Sequence, residues 1–292
     1  MRERGPPAER DPAELLSFGV VNLDKPPGPS AHQVAAWVRD VAGVERAAHA
    51  GTLDPKVTGC LPVLTGDATR LARVFDDARK GYVAVLELHA PRPTDFEAIL
   101  AEFEGPIHQK PPRKSAVARR LRTRTVHRLE ALETEERRAL LDVECESGTY
   151  VRKLCHDLGL ALGTGANMGE LRRRHTGTFD DTGLVTMHDL ADGVAFWEED
   201  GDADLLRAVV RPAERALRGL PELTVAHSAA AEIANGAPVY APGVVEHDLE
   251  GADEGALVAC YTPDGAAVCL GSLAGDPGAD EGLVADLERV LV

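Results

Sequence analysis

A strict alternation of apolar and acidic side chains over residues 141–146 is the feature that most directly constrains the fold of this chain. Successive side chains of a strand point to opposite faces. The segment therefore predicts a strand with its apolar side chains buried and its acidic ones, Asp142 among them, facing outward. Residues 82–89 are mostly apolar and β-branched and predict another strand, whereas residues 151–162 carry apolar side chains at helical spacing. Because strands and helices intermix without a regular βαβ rhythm, we expect a mixed α+β fold, within the broad α/β class, on a largely antiparallel sheet.

Three further helices are predicted from residues that favour helix ends. Ser30 can cap a helix that ends at Gly43. Asp67 can cap a second helix in the same way. Residues 94–97, Thr-Asp-Phe-Glu, have the spacing of a capping box that opens a third.

The distribution of charge divides the chain near residue 220. Residues 221–292 hold 13 acidic residues and one basic residue, whereas residues 1–220 hold 35 acidic and 31 basic residues. The Arg-Gly-Leu-Pro segment at 218–221 marks the same place. The expected units are an N-terminal extension, a large domain and a small domain, at residues 1–17, 18–219 and 221–292.

The small domain has its own pattern of elements. A short helix is predicted from Ser228 to Gly236. Two strands, at 257–261 and 267–270, follow it, and the turn Thr-Pro-Asp-Gly joins them as a hairpin.

The excess of acidic residues has a physical consequence for binding. The chain has 48 acidic and 32 basic residues, a formal net charge of −16, and only six of the basic residues are lysine. This balance suggests adaptation to concentrated cytoplasmic salt. At about 1 M salt the screening length is about 3 Å, so counterion release contributes little affinity for a polyanion. Contact with nucleic acid would then depend on stacking, shape and bidentate arginine contacts. Composition alone favours the plainer alternative, an acidic protein that binds no nucleic acid.

Composition also argues against several classes of protein. No run approaches the length of a membrane-spanning helix, and the charged, proline-containing residues 1–12 do not resemble a secretory signal. The five cysteines form no CxxC pair and are predicted to be buried apolar side chains in a reducing cytosol. No His/Cys cluster has the spacing of metal ligands. We expect a cytoplasmic protein with no metal site and no membrane contact.

A carboxylate in a tight turn is the first candidate for chemistry. Residues 49–59 read His-Ala-Gly-Thr-Leu-Asp-Pro-Lys-Val-Thr-Gly and place Asp54 among glycine, threonine and proline. Asp-Pro is a common turn pair, so the residues by themselves leave a plain turn former as the alternative.

This turn resembles the catalytic motif of the TruB-type pseudouridine synthases, and four other segments resemble motifs of that family in the same order. Residues 109–122, with two prolines and an arginine run, resemble its archaeal and eukaryotic dyskerin-type branch. The resemblance implies isomerisation of uridine to pseudouridine in RNA without a cofactor. The four segments are 24–30 (Asp-Lys-Pro-Pro-Gly-Pro-Ser), 80–82 (Lys-Gly-Tyr), 147–152 (Ser-Gly-Thr-Tyr-Val-Arg) and 171–174 (Leu-Arg-Arg-Arg).

The resemblance implies roles for three side chains. Asp54 is the candidate nucleophile, because a carboxylate can trap an electrophilic base or sugar as a covalent adduct; removal of a sugar proton by the same group stays open. Arg152 is expected to pair with Asp54. Its place in the first turn of a predicted helix, where a positive charge costs about 0.3–1 kcal/mol, fits a carboxylate opposite it. Tyr82 is expected to offer a flipped base an aromatic face and to shuttle a proton. A solvated arginine and a packing tyrosine are the alternatives.

Basic side chains are the candidate RNA contacts. The segment 110–128 holds eight basic residues and no acidic one, and it resembles the family's mobile loop that clamps substrate RNA. His49 is expected either to contact the displaced nucleotide or to be structural. Lys25 is expected mainly to brace the site, with a phosphate contact open. The residues assigned to RNA binding are His49, Lys25, Lys110, Arg113, Lys114, Arg119, Arg120, Arg122, Arg172 and Arg173.

Resemblance also suggests an identity for the small domain and a substrate for the chain. Residues 236–238 (Gly-Ala-Pro) and 242–243 (Pro-Gly) resemble landmarks of a PUA domain, a small β-barrel-like RNA-binding unit, with a purely packing role as the alternative. The family implies ribosomal RNA selected by a box H/ACA guide RNA, with small partner proteins, or uridine-55 in the TΨC loop of transfer RNA. We expect the guided assembly and no DNA partner. A noncatalytic RNA-binding scaffold is a further alternative.

Overall fold

Two sheets and seven α-helices organise the part of the chain that the computed structural model describes, residues 4–111 and 118–292. The helices are α1 (Pro12–Ser17), α2 (Ala31–Val41), α3 (Phe96–Ala101), α4 (Val151–Ala161), α5 (Met187–Asp200), α6 (Asp204–Val209) and α7 (His227–Ala234). The strands are β1 (Phe18–Lys25), β2 (Ala47–His49), β3 (Thr58–Gly66), β4 (Lys80–Leu88), β5 (Gly105–Gln109), β6 (Arg122–Thr134), β7 (Arg138–Cys145), β8 (Ala166–Thr176), β9 (Val210–Pro212), β10 (Glu222–Val225), β11 (Val239–Tyr240), β12 (Val244–Asp248), β13 (Leu257–Tyr261), β14 (Ala267–Leu273) and β15 (Leu283–Val290).

The first sheet has nine strands in the order β5-β6-β7-β4-β8-β3-β1-β9, with β2 paired to β3. Its described pairings are antiparallel except for β3 with β8. The insertion of β8 between β4 and β3 brings three sequence-distant segments together. The predicted mixed α+β fold on a largely antiparallel sheet is confirmed.

The second sheet has six strands in the order β11-β15-β14-β13-β10-β12 and contains the predicted hairpin of β13 and β14. An apolar cluster joins the two sheets, because Phe18 and Val20 of β1 pack in one core with Ala267 and Leu270 of β14. The residues after 220 are therefore held against the first sheet by apolar burial, which is the main driving force for such packing.

The helix predicted to follow Ser30 is present as α2. Ser30 accepts a hydrogen bond from the N–H of Gln33, and the Gln33 amide oxygen accepts in return from the N–H of Ser30, so the two form a capping box. Gly43 follows the helix with a φ of 63°, the left-handed conformation that suits glycine after a helix end.

Two predicted helix starts are wrong. Asp67 opens a 3₁₀-helix, Asp67–Phe75, and caps no α-helix, because its carboxylate is held by the guanidinium groups of Arg4 (2.9 Å) and Arg46 (2.8 Å). The expected capping box at 94–97 does not form: α3 begins at Phe96, and the Asp95 before it makes no side-chain capping bond.

The outward position predicted for Asp142 is also wrong. The residue does lie on the face of β7 opposite to Leu141 and Val143, as the alternation requires, but that face is covered. Arg128 reaches the Asp142 carboxylate at 2.5 Å and Arg174 reaches it at 3.5 Å. Asp142 is therefore buried under two arginine side chains, which supply the counter-charge that a buried carboxylate needs.

Candidate active site

The turn that carries Asp54 joins β2 to β3 and stands at the surface of the first sheet. A hydrogen bond from the N–H of Val57 to the carbonyl of Asp54 (3.0 Å) closes it. Gly59 ends the turn with a φ of 95°, and a Cβ there would lie 2.3 Å from the carbonyl oxygen of Arg173 on the adjacent β8. Only glycine fits this position.

Asp54 forms an ion pair with Arg152. Arg152 is the second residue of α4, so the pair brings together the turn and a helix that lies far from it in the sequence. Both side chains are about half exposed, at 51% and 50%. An ion pair this accessible to water adds at most about 1 kcal/mol to stability, so its value lies in aiming the carboxylate.

Lys25 braces the turn from below. Its ammonium donates to the carbonyls of Pro26 (2.9 Å), Pro55 (3.0 Å) and Val57 (2.8 Å). The side chain is completely buried, and burial lowers its pKa. The bracing role expected for Lys25 matches this geometry, whereas a contact with RNA phosphate is wrong because no part of the residue reaches the surface.

Arg173 is a second buried support, and its assignment to RNA binding is wrong. Its Nε donates to the carbonyl of Cys60 at 2.8 Å, and its Nη2 donates to the carbonyls of Ala50 (3.2 Å) and Gly51 (3.3 Å). Strand alternation in β8 explains the burial, because it turns Arg173 into the core while its two arginine neighbours face the other way.

Lys80 is a third buried cation under the turn, next to Gly51, and its role was not predicted from the sequence. Its ammonium donates to the carbonyls of Phe75 (3.1 Å) and Ala78 (2.9 Å) and to the hydroxyl of Ser147 (3.2 Å). Burial, reinforced by the nearby charge of Arg173, lowers the pKa of Lys80 to about 8. Together the three buried cations, Lys25, Lys80 and Arg173, give the turn a positive floor that favours a negative group above it.

Tyr82 lies beside the buried Arg173, on β4 between β7 and β8. Only 7% of the residue is exposed, and burial raises the pKa of its phenol, which the adjacent Arg173 guanidinium partly opposes. The phenol is therefore protonated at neutral pH. Stacking of a flipped base on its ring, as predicted from the sequence, requires the covering side chains to move.

His49 precedes the turn and contacts a second histidine. Its Nε2 lies 3.2 Å from Nδ1 of His32 on α2, with the ring centroids 4.8 Å apart. Burial lowers the pKa of His49, and the neighbouring His32 and Arg173 lower it further. This contact links the turn to α2, and it fits a structural role for His49, the alternative to a contact with the displaced nucleotide.

This arrangement predicts a loss of stability in acid that depends on His49. The folded protein disfavours protonation of His49, whereas the unfolded chain takes up the proton near its ordinary pKa of 6.5. The contribution of neutral His49 to the free energy of unfolding is therefore complete above pH 6.5, and it is lost as the pH falls below that value. Urea unfolding of wild type and His49→Gln at pH 7.5 and pH 5.5 measures it, as the difference between their pH slopes. Equal slopes would contradict the assignment.

The remaining residues assigned to RNA binding differ in accessibility. Arg172 is partly exposed but already holds Asp24 through two hydrogen bonds, at 2.9 and 3.1 Å. Arg122 is half-buried at the start of β6. Arg113 and Lys114 lie outside the described residues. The exposed members are Lys110, Arg119 and Arg120.

Gln109 is another residue whose role was not predicted from the sequence. It is buried at the end of β5, and its amide bonds the backbone of Tyr150, the residue before α4. The sequence holds no signal for this contact, because the pairing of strand and helix is set by the tertiary fold.

The five cysteines are free and buried, as predicted. Burial raises the pKa of Cys60 and Cys155 to about 12 and that of Cys145 to about 11, so these thiols stay protonated. Within residues 4–111 and 118–292, no three His, Cys, Asp or Glu side chains are placed to share a metal ion. No described helix has the length and apolarity to cross a membrane.

The sequence matches three family models in succession. Residues 4–35 match the DKCLD (NUC011) domain, residues 39–151 the N-terminal domain of TruB family pseudouridylate synthases, and residues 152–218 the C-terminal domain of tRNA pseudouridylate synthase B. The second match contains Asp54, and the third begins at Arg152.

Full-length relatives and solved structures agree with these matches. A probable tRNA pseudouridine synthase B of Halobacterium salinarum is 64% identical over 99% of both chains. The crystal structure of a Cbf5-Nop10-Gar1 complex has a TM-score of 0.93 at 43% identity, covering 99% of this chain and 90% of that one. An H/ACA RNP bound to a substrate RNA containing 2′-deoxyuridine has a TM-score of 0.92 at 41% identity, with the same coverage.

The relative from Halobacterium salinarum also agrees with the expected adaptation to concentrated salt. The five motifs, the geometry of the Asp54 turn and the matches over the whole chain point to one conclusion. The chain belongs to the TruB family of pseudouridine synthases, which isomerise uridine to pseudouridine in RNA.

Proposed function

We propose that Asp54, aimed by Arg152, is the reactive carboxylate of this enzyme. The observation that carries the proposal is their ion pair at an accessible turn, whose backbone carbonyls accept hydrogen bonds from the buried Lys25 and Arg173. The reaction breaks the C–N glycosidic bond, turns the base and forms a C–C bond, with no net oxidation or reduction. A positioned carboxylate can assist by forming a covalent adduct or by removing a sugar proton.

Tyr82 completes the proposed site. Its protonated phenol, next to the Arg173 guanidinium, can donate a proton or a hydrogen bond to a base that enters above the turn. Lys110, Arg119, Arg120 and Arg122, with Arg113 and Lys114, form the proposed clamp on RNA. These arginines suit contacts at short range in concentrated salt.

For the substrate, we favour ribosomal RNA selected by a box H/ACA guide RNA. The likeness to a chain in a Cbf5-Nop10-Gar1 complex, at 43% identity, supports small partner proteins of the Nop10 and Gar1 kind. Uridine-55 in the TΨC loop of transfer RNA is the second candidate, favoured by the name of the relative from Halobacterium salinarum. Residues 18–219 form the proposed catalytic domain and 221–292 a PUA-like RNA-binding domain, in a cytoplasmic protein.

An assay with tritiated uridine separates these substrates. Purified protein is incubated in concentrated potassium chloride with transfer RNA or with a ribosomal RNA target, each with and without guide RNA and partner proteins. Product that requires the guide supports the assembly, whereas equal product from transfer RNA without the guide overturns that preference. RNA binding without product under every condition would identify a noncatalytic scaffold.

Replacement of Arg152 by lysine tests the aiming of Asp54. Arg152→Lys keeps the charge but removes the planar guanidinium that fixes the direction of the pair. We expect the single-turnover rate to fall about 100-fold, the size of effect that a displacement of about 1 Å can have. Arg39→Lys, which alters the exposed Arg39–Asp40 pair on α2, is the matched control and should leave the rate unchanged. Wild-type kinetics for Arg152→Lys would refute the pairing.

A further inference from the structure

Gln109 clamps the backbone of Tyr150 at two points. The residue is only 2% exposed. Its Oε1 accepts a hydrogen bond from the N–H of Tyr150 at 2.9 Å, and its Nε2 donates one to the carbonyl of Tyr150 at 3.2 Å. Because an N–H must face oxygen and a carbonyl must face the amide nitrogen, the two bonds fix the orientation of the side chain.

The clamp stands where α4 has no cap of its own. Tyr150 is the N-cap residue, and its side chain makes no capping bond. The first N–H groups of a helix have no partners within it, and residues without a short polar side chain are poor N-caps. Gln109 therefore fixes the start of α4 from a neighbouring strand. Arg152 lies two residues after Tyr150, so its position depends on that of the clamped peptide.

The same glutamine stands at one end of the loop that joins β5 to β6, residues 110–121, which is called the basic loop below. Gln109 is the last residue of β5 and pairs with Arg122, the first residue of β6. Lys110, which follows it directly, and Arg119 and Arg120, at the other end of the loop, are exposed. The residue that anchors one end of this loop is therefore the same one that holds the backbone of Tyr150.

We propose that Gln109 is a positioning residue, which holds Arg152 in line with Asp54 and links the basic loop to that ion pair. The proposal rests on the role of the ion pair in the proposed function. It makes α4 the element through which engagement of RNA affects the reactive carboxylate. No contact between Gln109 and the substrate is required.

The chain offers a matched control for testing Gln109. It contains two glutamines, and the other, Gln33, also accepts from the backbone N–H of an N-cap residue, Ser30, at 2.8 Å. Gln109→Met and Gln33→Met each remove the acceptor for the N–H of an N-cap residue and keep the side-chain length. Gln109→Glu retains the acceptor for Tyr150 but loses the donor, and it provides a test if Gln109→Met folds poorly.

Single-turnover rates at saturating enzyme and RNA dissociation constants are measured for each variant. We expect Gln109→Met to lower the rate about 10- to 100-fold while its dissociation constant stays within about two-fold of wild type. The rate of Gln109→Glu should lie between those of wild type and Gln109→Met. Gln33→Met should change neither the single-turnover rate nor the RNA dissociation constant by more than about two-fold. A wild-type rate for Gln109→Met, or a loss confined to RNA affinity, overturns the proposal.

Hydrogen exchange supplies a readout that does not depend on activity. In Gln109→Met the amides of residues 150–154 should exchange faster, and added RNA should protect them in wild type but not in the variant. Unchanged exchange in the variant overturns the clamp, and equal protection by RNA overturns the link to the loop. If Arg152→Lys proves fully active while exchange behaves as expected, the role of the ion pair fails and the clamp on Tyr150 stands.

Discussion

Asp54→Asn should abolish pseudouridine formation, with a rate at least about 1,000-fold below wild type, while the protein folds and binds RNA normally. An amide has nearly the shape of the carboxylate but can neither form the adduct nor accept the sugar proton. The side chain is 51% exposed, so its replacement should change the free energy of unfolding by less than about 1 kcal/mol. The measurements are product release from tritiated RNA, thermal unfolding and an RNA dissociation constant.

Asp40→Asn is the control for this variant. Asp40 is also exposed and also paired with an arginine, but it lies on α2 outside the turn. Its rate should equal that of wild type. Turnover by Asp54→Asn within ten-fold of wild type would remove Asp54 from the reaction, whereas loss of RNA binding together with activity would reassign it to recognition.

Arg10→Met should destabilise the protein by about 3–5 kcal/mol, the cost of leaving one partner of a buried ion pair alone. The guanidinium of Arg10, 1% exposed, holds the carboxylate of Glu214 through two bonds of 2.8 and 2.6 Å. Glu214 in turn accepts a hydrogen bond from the N–H of Ala267 on β14 at 3.1 Å. The contact therefore ties the N-terminal segment to the second sheet, and its loss should appear in urea unfolding.

The double variant Arg10→Met/Glu214→Gln separates charge burial from packing. Glutamine still accepts from Ala267 but leaves no buried charge, so the double variant should be more stable than Arg10→Met. Arg39→Met, at an exposed pair, should cost no more than about 1 kcal/mol. If Arg10→Met also destabilised the protein by no more than about 1 kcal/mol, the Glu214 carboxylate must have found water or another partner.

Local patterns in the sequence were enough to predict much of the fold. Alternation identified β7, the N-cap candidate Ser30 identified α2, and the turn at 262–265 identified the hairpin of β13 and β14. The failures at Asp67 and Asp142 share one cause. Each carboxylate is held by arginines from distant parts of the chain, and a local pattern contains no information about such partners.

In the candidate site, too, some features could be predicted from the sequence and others could not. The pairing of Asp54 with Arg152 could be predicted because both lie in motifs whose family is recognisable. The burial of Lys25 and Arg173 could not, since a lysine or arginine is expected at the surface. The position of β8 between β4 and β3 sends Arg173 beneath the turn, and that order of strands is a property of the whole sheet.

The three cations beneath the turn donate almost entirely to backbone carbonyls, in a place that dissolved ions do not reach. A rise in electrolyte concentration therefore weakens the half-open Asp54–Arg152 contact but leaves its scaffold rigid. Added salt should therefore affect the direction of the Asp54 carboxylate more than the shape of the turn that carries it.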